Sequence, residues 1–365
     1  MIITELEAFQ VAIPLPQPIS VSNRTIAERD FVLVRIRTDE GLEGCGYGLA
    51  RGGLVAESIR HHLAPVLAGQ DPLATESLWQ EMYGSTRYLG RKGLLMRAIS
   101  AVDIALWDLK GKAAGMPLWR LLGGSSPHVP AIAAGGYYRD GTSLADVESE
   151  YAAYREQGYQ EAKMMVGRLP IEADMERIAA ARRGLGEWIP LMLDFGGLLP
   201  DAKAALAWVN RLSSYPIAFI EDPFMPDDTL ALEQLARSSL IPIAAGEEES
   251  GRWTFRELLQ RSAVDVLRHD ATVAGGISEW LKIGHLALAY NKTMLPHWFP
   301  EIHIHLAAAM PSTIGVEFIP ESSGVMNFHL LTNRGLCVKD GFAEAPNAAG
   351  LGIEWREEAI SEYRR

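Results

Sequence analysis

Six apolar runs in this sequence each end in an ionisable residue, and successive endings are separated by about the length of one strand and one helix. The endings are Asp194, Glu221, Glu247, Asp270, His297 and Glu317, and Lys163 lies near the end of an earlier run. A short buried strand followed by a helix, repeated in this way, is typical of a parallel (β/α) barrel. Barrels of this type carry their reactive groups at the carboxyl ends of the strands. The sequence therefore predicts that these side chains converge on one active site.

Three of the acidic endings have the chemistry of a metal site. Asp194, Glu221 and Glu247 are separated by 27 and 26 residues. Because neighbouring strands lie about 4.8 Å apart, three such carboxylates can reach one cation. Oxygen ligands with open coordination positions suit Mg²⁺. A single acid at a strand end is as readily a helix cap or a solvated side chain, and three adjacent acids remain alternative ligands: Asp222, Glu248 and Glu249.

The next two endings have the chemistry of a general base. An Asp beside a His fixes the imidazole tautomer and raises its pKa, so Asp270 and His297 predict a positioned base opposite the metal. Glu317 follows on the next strand, where it can exchange a hydrogen bond with a substrate oxygen or form a salt bridge. The two histidines of the run EIHIHLAAA fall on a predicted helix, and we interpret them as structural.

Composition narrows the classes of function. The chain has 365 residues and a net charge of -12, which argues against nucleic acid as a partner, although a bound cation would still admit an anionic substrate. The start has no signal-peptide pattern, and no uncharged stretch is long enough to span a membrane. The two cysteines are far apart and are expected to be buried thiols. We expect a cytoplasmic enzyme with no membrane partner.

The elements that must position these residues follow two patterns along the chain. Residues 3–15 predict a strand and residues 30–48 a hairpin with its turn at 39–41, whereas the Pro- and Ser-rich segment 14–25 predicts a loop. Helical patterns follow at 54–68, 72–84 and 93–122. Strands are then predicted near 129–133, 160–166, 189–194, 216–221, 241–246, 264–269, 293–296 and 314–318. We divide the chain into a cap at 1–125, a barrel at 126–320 and a tail at 321–365 that returns to the cap.

Two stretches resemble a known family. AVDIALWDLKGKAAGMPLWRLLGG at 101–124 resembles the capping-domain signature of the enolase superfamily, and the acid series with PHWFPEIH resembles its mandelate racemase branch. The resemblance implies an α/β fold, a modified TIM barrel under an α+β cap built from the N-terminal segment and the C-terminal tail. It also implies that Asp194, Glu221 and Glu247 bind Mg²⁺ and that Asp270 and His297 form the base dyad. Lys163 and a protonated Glu317 would then stabilise the enediolate intermediate.

The sequence departs from the family pattern at two positions. The family often has Lys-x-Lys at the end of the second barrel strand, and here Met165 takes the place of the second Lys. A thioether cannot exchange a proton, so a base is predicted on the His297 side only. Gly196 stands where the family often has Asn, and this predicts extra room for a polyhydroxylated substrate.

These features predict a Mg²⁺-dependent dehydratase of a sugar acid, an aldonate or an aldarate. An epimerase or a cycloisomerase that uses the same intermediate is the alternative, and a metal-binding barrel without catalysis is a remote one. Two cap loops, near 15–30 and 46–54, are expected to contact the distal end of this small carboxylate substrate. They offer Arg24, Tyr47 and Arg51 as contacts, with Asn23 and Ser22 nearby. The family resemblance also implies a homo-oligomer.

Overall fold

The computed structural model describes residues 1–22 and 24–365, so Asn23 lies outside the described residues. The chain forms a three-stranded antiparallel sheet with helices on one face, followed by a parallel barrel of alternating strands and helices. The predicted fold, a modified barrel with an α+β cap, is confirmed.

The cap begins with the sheet. Its strands lie in the order β1-β2-β3: β1 Ile3–Val21, β2 Arg24–Thr38 and β3 Glu43–Leu49. The hairpin turn predicted at 39–41 is confirmed. The loop predicted at 14–25 is wrong, because β1 continues through its prolines and pairs with β2 to the end of the hairpin. Proline is tolerated there because β1 is an edge strand, and a register shift between Pro14 and Ile19 absorbs the missing hydrogen bonds.

Helices cover one face of this sheet. They are α1 Leu54–Ser58, a π-helical turn Ile59–Leu63, α2 Ala64–Leu67, α3 Thr75–Thr86, α4 Leu94–Ala113 and α5 Leu118–Leu121. Helix α4 packs closely on β3 because Gly44 and Gly46 have no side chain. A Cβ atom on Gly46 would collide with the backbone carbonyl of Ala101. The same helix docks on the barrel, where Asp103 accepts hydrogen bonds from the backbone and hydroxyl of Ser278 at 2.8 and 2.7 Å.

The barrel contains all eight predicted strands, most of them shorter than predicted. They are β4 His128–Gly135, β5 Glu161–Met165, β6 Leu191–Asp194, β7 Ile217–Glu221, β8 Ile243–Ala245, β9 Val266–Leu267, β10 Thr293–Met294 and β11 Val316–Phe318. Each strand pairs in parallel with the next from β4 to β10, and β11 pairs with β4. A single parallel bridge between Met294 and Thr313 joins the two ends of the ring.

Helices surround the barrel strands, and two of them follow β9. The helices are α6 Leu144–Glu156, α7 Ile171–Leu185, α8 Ala202–Leu212, α9 Thr229–Ser238, α10 Arg252–Gln260, α11 Ala271–Ala274, α12 Gly276–Ala289 and α13 Pro300–Ala309. The last strand, β11, leads into the tail instead of a helix.

The tail contacts both parts of the molecule. It contains 3-10 turns at Glu321–Ser323 and Phe328–Leu331, then β12 Val338–Lys339, β13 Phe342–Glu344 and helix α14 Glu357–Tyr363. Arg365 donates its backbone N–H to the carbonyl of Gln10 in the cap at 2.9 Å. However, β13 pairs with barrel strand β4, so the return to the cap is only part of the path of the tail.

Two further sequence-based expectations concern membrane-spanning segments and the state of the cysteines. Among the described helices, none is both long and apolar enough to cross a membrane. Neither cysteine forms a disulfide: Cys45 is buried, but Cys337 is exposed, so the expectation of two buried thiols is wrong for Cys337.

Candidate active site

Three carboxylates meet at the carboxyl ends of consecutive barrel strands. Asp194 is the last residue of β6, Glu221 is the last residue of β7, and Glu247 follows β8 by two residues. One carboxylate oxygen from each side chain lies within 4.8 Å of the other two. The arrangement brings together the three acids that the sequence spacing singled out.

The three neighbouring acids have other partners. Asp222 accepts a hydrogen bond from the backbone of Gly246 at 3.2 Å, and Glu248 lies 3.8 Å from Arg51. Glu249 forms an ion pair with Lys92 of the cap at 2.7 Å. Their contacts favour a structural role for these three side chains.

The carboxylate cluster fits a divalent cation. Burial, together with repulsion from Glu221, raises the pKa of Asp194 to about 6, although Lys163 opposes this shift. Burial and repulsion from Asp194 likewise hold the pKa of Glu247 well above its usual value. The buried Oε2 atom of Glu221 has no hydrogen-bond partner among the described residues. Crowded buried carboxylates with an unpaired oxygen are the environment that a hard cation stabilises.

Lys163, on β5, lies at the centre of the site. Its Nζ is 3.0 Å from Asp194, 3.2 Å from Glu221 and 2.7 Å from Glu317, measured to the nearest carboxylate oxygen. Burial opposes its charge, but Glu221, Glu317 and Asp194 outweigh burial and hold its pKa well above the usual value. Lys163 is therefore a charged donor and is unsuited to accept a proton.

Arg268 was not singled out by sequence reasoning. It is fully buried and bridges two acids: its Nε donates to Glu221 at 2.7 Å, and its Nη2 donates to Glu317. Burial disfavours the charge on Glu317, but Lys163 and Arg268 overcome this and lower its pKa. The expectation of a protonated Glu317 is therefore wrong, because two cations hold it ionised as an acceptor. An Arg inside the otherwise apolar run VDVLRHD was the available signal, since a buried Arg requires an acidic partner.

Asp270 and His297 form the predicted pair. The Nδ1 atom of His297 lies 3.0 Å from Asp270, and its Nε2 atom lies 3.4 Å from Glu247. Burial raises the pKa of Asp270 to about 7. Above that pH the Asp270 carboxylate accepts the Nδ1 proton of His297, which leaves the Nε2 lone pair on the side of the metal ligands. Burial and the charges of Lys163 and Arg268 hold the pKa of His297 well below its usual value. The expected rise in this pKa is therefore wrong, and the imidazole is neutral and able to accept a proton.

The histidines of helix α13 belong to the core. His303 donates from Nδ1 to the carbonyl of Trp298 at 2.7 Å and accepts at Nε2 from the backbone of Ala271 at 2.9 Å. His305 accepts from the backbone of Trp119 and donates to the carbonyl of Leu351. Both are fully buried with both ring nitrogens satisfied, which agrees with the structural role expected for them.

A cavity of about 220 Å³ lies between the barrel mouth and the cap. Met165 lines this cavity and is three strands from His297 around the ring. The extra room expected beside Gly196 is partly occupied by Ser22 of the cap. The Ser22 hydroxyl donates to the carbonyl of Gly196 at 2.7 Å, and a Cβ atom on Gly196 would collide with that hydroxyl. Gly196 still lines the cavity, so the prediction of room for substrate at this position stays a prediction.

Two of the three predicted substrate contacts reach the cavity. Arg24 and Arg51 line it, but Tyr47 does not. Tyr47 is fully buried, stacks on Phe328 and donates its hydroxyl to Glu301 at 2.8 Å. Tyr47 is therefore a core residue, and its assignment as a substrate contact is wrong because strand β3 directs it into the packing between cap and tail.

Two further cap arginines line the cavity and were missed. Arg29, on β2, follows the same alternation as the buried Phe31 and Leu33, and this period of two was the signal that it points inwards. Arg97, on α4, precedes Ser100 and Asp103, which contact the barrel through Gly275 and Ser278. Helical spacing therefore placed Arg97 on the face that meets the barrel.

Comparison with known proteins agrees with the geometry. Residues 3–123 match the family model of the mandelate racemase / muconate lactonizing enzyme N-terminal domain, and residues 146–359 match the enolase C-terminal domain-like model. An arabinonate dehydratase of Saccharolobus solfataricus is 32% identical over 350 residues, covering 92% of this chain and 91% of the relative. A 3,6-anhydro-alpha-L-galactonate cycloisomerase of Streptomyces coelicolor is 31% identical over 345 residues, covering 93% of each chain.

Solved structures give the same grouping. A structure described as a racemase from Streptomyces coelicolor A3(2) with bound magnesium superposes with a TM-score of 0.93 at 30% identity, covering 100% of both chains. The two family models together match most of the sequence, in the order in which the cap and the barrel occur. This chain therefore belongs to the enolase superfamily, in the branch of mandelate racemase and muconate lactonizing enzyme.

Proposed function

We propose that this chain is a lyase, a Mg²⁺-dependent dehydratase of an aldonate or an aldarate. The observation that carries the proposal is the pairing of one neutral, Asp-oriented base, His297, with a three-carboxylate cluster in a single cavity. The relatives act on sugar acids by dehydration or by cycloisomerisation, as their names state. In the proposal, the cap at 1–125 covers the barrel at 126–320, and the tail at 321–365 holds the two together.

The carboxylates Asp194, Glu221 and Glu247 would hold the Mg²⁺. When bound, the ion is a Lewis acid that stabilises negative charge developing on the substrate carboxylate. Its presence in a related structure supports the assignment. Lys163 adds a donor on the same side of the site, and Glu317 and Arg268 hold Lys163 and Glu221 in place.

His297 would perform both proton transfers. Its Nε2 atom takes the proton from the carbon next to the carboxylate, and the electron pair of that C–H bond enters the enediolate. As the carboxylate re-forms, the pair shifts to make a carbon–carbon double bond, and the bond to the neighbouring hydroxyl breaks. His297 returns its proton to the departing oxygen, which leaves as water. The resulting enol tautomerises to a 2-keto-3-deoxy acid. One His acting twice requires the proton and the hydroxyl to leave from the same face.

Two features support a single base. Met165 occupies the position at which the family often has a second Lys, and it lines the cavity with a group that cannot accept a proton. Lys163 is held charged by three carboxylates, so it cannot serve in its place. This arrangement disfavours an epimerase, which needs a base on each face of the reacting carbon.

A cycloisomerase is the second candidate. It is supported by the similarity to a 3,6-anhydro-alpha-L-galactonate cycloisomerase and by the fact that such a reaction also runs with one base. The two reactions share proton abstraction by His297 and differ in whether water leaves or a ring oxygen is displaced.

The test is proton NMR of the purified protein with Mg²⁺ and a panel of aldonates, aldarates, sugar lactones and anhydro-acids in D₂O. Loss of an α-proton signal with formation of a 2-keto-3-deoxy product supports the dehydratase. A ring-opened or ring-closed isomer without loss of water identifies the cycloisomerase instead.

Asp194→Ala provides the metal control for this test. Removing one of three ligands should abolish turnover at every Mg²⁺ concentration up to the millimolar range, while circular dichroism remains that of the wild type. Full activity of Asp194→Ala in the presence of a chelator would contradict the metal assignment.

A further inference from the structure

The wall of the cavity formed by the cap carries more positive charge than its acidic residues balance. Four arginines line the cavity: Arg24, Arg29, Arg51 and Arg97. Only Arg51 has an acidic partner within ion-pair distance among the described residues, and this is Glu248 at 3.8 Å. The remaining three guanidinium groups face the cavity without a carboxylate from the described chain.

Arg29 is the most constrained of these. Its side chain is only 4% exposed, its Nε donates to the carbonyl of Val325 at 2.8 Å, and its guanidinium lies 4.8 Å from the ring of Trp298. Its buried Nη2 atom has no hydrogen-bond partner among the described residues. An unsatisfied buried donor is unfavourable, and more so when it is charged, so it marks a place where a ligand atom is expected.

Arg97 approaches the same cavity from helix α4. The charges that act on it are Arg51, Asp270, Glu248 and Glu247, none of which forms an ion pair with it. Burial lowers the pKa of both Arg29 and Arg97 to about 10, so both remain charged at neutral pH. The cap therefore presents two positively charged side chains from two different elements, Arg29 from β2 and Arg97 from α4.

Arg29 lies close to the base, and Arg97 lines the same cavity. Trp298 stacks on His297 with their ring centroids 4.5 Å apart, and Arg29 lies on Trp298 at 4.8 Å. The guanidinium of Arg29 is therefore no farther from the imidazole of His297 than about the sum of these two distances. A six-carbon chain has five carbon–carbon bonds of about 1.5 Å each, so its length is of the same order as the spacing between the imidazole of His297 and the guanidinium of Arg29.

We propose that Arg29 and Arg97 form a subsite for a second carboxylate at the distal end of the substrate, so that the substrate is a dicarboxylic sugar acid. This inference rests on the proposed function and narrows it from aldonates and aldarates to aldarates. Arg24 and Arg51, at the mouth of the cavity, add long-range attraction for the dianion.

A monocarboxylate explains the wall less well. Its distal hydroxyl would satisfy one donor of Arg29 but would give neither Arg29 nor Arg97 an ion-pair partner. A carboxylate accepts from guanidinium groups through two oxygens and balances the charge. The planar guanidinium group pairs better with a carboxylate of the substrate than with the single distal hydroxyl of an aldonate.

The test compares matched pairs of acids that differ only at the distal carbon: galactarate with galactonate, and glucarate with gluconate. The specificity constant kcat/KM is measured with Mg²⁺ for the wild type, Arg29→Met and Arg97→Met. Arg91→Met is the control, since Arg91 is an exposed cap arginine outside the cavity. A monoacid with a distal phosphate, 6-phosphogluconate, tests whether the subsite takes phosphate instead.

For the wild type we expect one diacid to exceed its matched monoacid by at least tenfold. Arg29→Met and Arg97→Met should each lower this diacid-to-monoacid ratio at least tenfold, mainly through KM, whereas Arg91→Met should change it less than twofold. A ratio near one in the wild type, a ratio unchanged in both variants, or a preference for 6-phosphogluconate would overturn the inference while the dehydratase stands. If Arg29→Met does not fold, Arg97→Met decides, because its side chain makes no hydrogen bond in the described fold.

The two proposals fail in different ways. If no acid of the panel is turned over, the proposed function fails, and calorimetric binding of the same pairs in Mg²⁺ tests the subsite alone. At least tenfold tighter binding of a diacid that Arg97→Met removes would sustain the subsite. Equal binding of diacid and monoacid would reject it.

Discussion

The cavity has a floor, the mouth of the barrel with Lys163 and Arg268, and a roof, the wall formed by the cap with Arg29 and Arg97. The positively charged side chains of the floor form ion pairs within the protein, whereas, among the described residues, those of the roof do not. On the floor, Lys163 contacts three carboxylates and Arg268 contacts two, so every cation is paired within the protein. On the roof, neither Arg29 nor Arg97 forms an ion pair with a carboxylate of the described residues, although nearby acids of the barrel act on Arg97 from beyond ion-pair distance. Paired charges on short barrel strands hold the reacting groups in place before substrate arrives. Unpaired charges on the cap gain their partner only when substrate binds.

This difference separates catalysis from recognition. Preorganised charges stabilise a transition state because they need no rearrangement during the reaction. Charges left without a partner instead contribute to the binding of whichever anion completes them. The following substitutions test this difference between floor and roof, in order of decreasing expected effect.

His297→Asn removes the base from the floor and has the largest expected effect. Asn keeps a polar side chain but cannot accept the α-proton, so kcat should fall by at least about 10³-fold, within the range for loss of general acid–base catalysis. The measurement is turnover together with α-proton exchange in D₂O, with Mg²⁺ binding as the control for an intact site. Exchange at the wild-type rate would assign the base to another group.

Arg268→Met compares the two kinds of cation directly. It leaves the buried Glu221 and Glu317 with Lys163 as their one remaining cation among the described residues, so the free energy of unfolding should fall by about 3–5 kcal/mol. Arg29→Met on the roof loses one charged hydrogen bond to Val325 and the contact with Trp298, so it should cost about 1.5–3 kcal/mol. Urea unfolding of both variants measures the difference. Equal losses would show that the floor is no better paired than the roof.

Met165→Lys restores a basic side chain to the position that lacks one. If the site deprotonates only one face of the C2 carbon because it lacks a second base, the variant should slowly form the C2 epimer, which the wild type does not form. The epimer is detected by chromatography after prolonged incubation with Mg²⁺. Met165→Gln, which is polar but not basic, is the matched control and should form none.

Tyr47→Phe tests the reassignment of a cap residue to the core and has the smallest expected effect. Loss of the hydroxyl leaves the buried Glu301 without its partner, so the free energy of unfolding should fall by about 1–2 kcal/mol. The KM for the substrate should stay within twofold of the wild type, because Tyr47 does not line the cavity. A large rise in KM with unchanged stability would restore Tyr47 as a substrate contact.

The floor could be predicted from sequence because its residues are tied to strand ends. Asp194, Glu221 and Glu247 follow consecutive buried strands, and parallel strands in a closed sheet place such residues at one edge. The protonation states could not be predicted in this way. The pKa of Glu317 depends on Arg268 from β9 and Lys163 from β5, and these contacts exist only in the closed ring.

The roof was harder to predict because it depends on packing between distant segments. The segment 14–25 has loop composition, yet it pairs as an edge strand with β2. Gly196 suggested empty space, but Ser22, which lies 174 residues earlier, occupies part of it. Alternation along β2 identified the inward face of Arg29, although nothing local could show that its Nη2 would lack a partner.

The measurement that tests the single-base account most directly is a search for the C2 epimer during turnover of the preferred acid in D₂O with Mg²⁺. A site with His297 as its only base protonates and deprotonates one face of the carbon. The account predicts a 2-keto-3-deoxy product and recovered substrate of unchanged C2 configuration, with any deuterium at C2 introduced with retention. Accumulation of a C2 epimer carrying solvent deuterium would require a second base on the opposite face and would contradict the account.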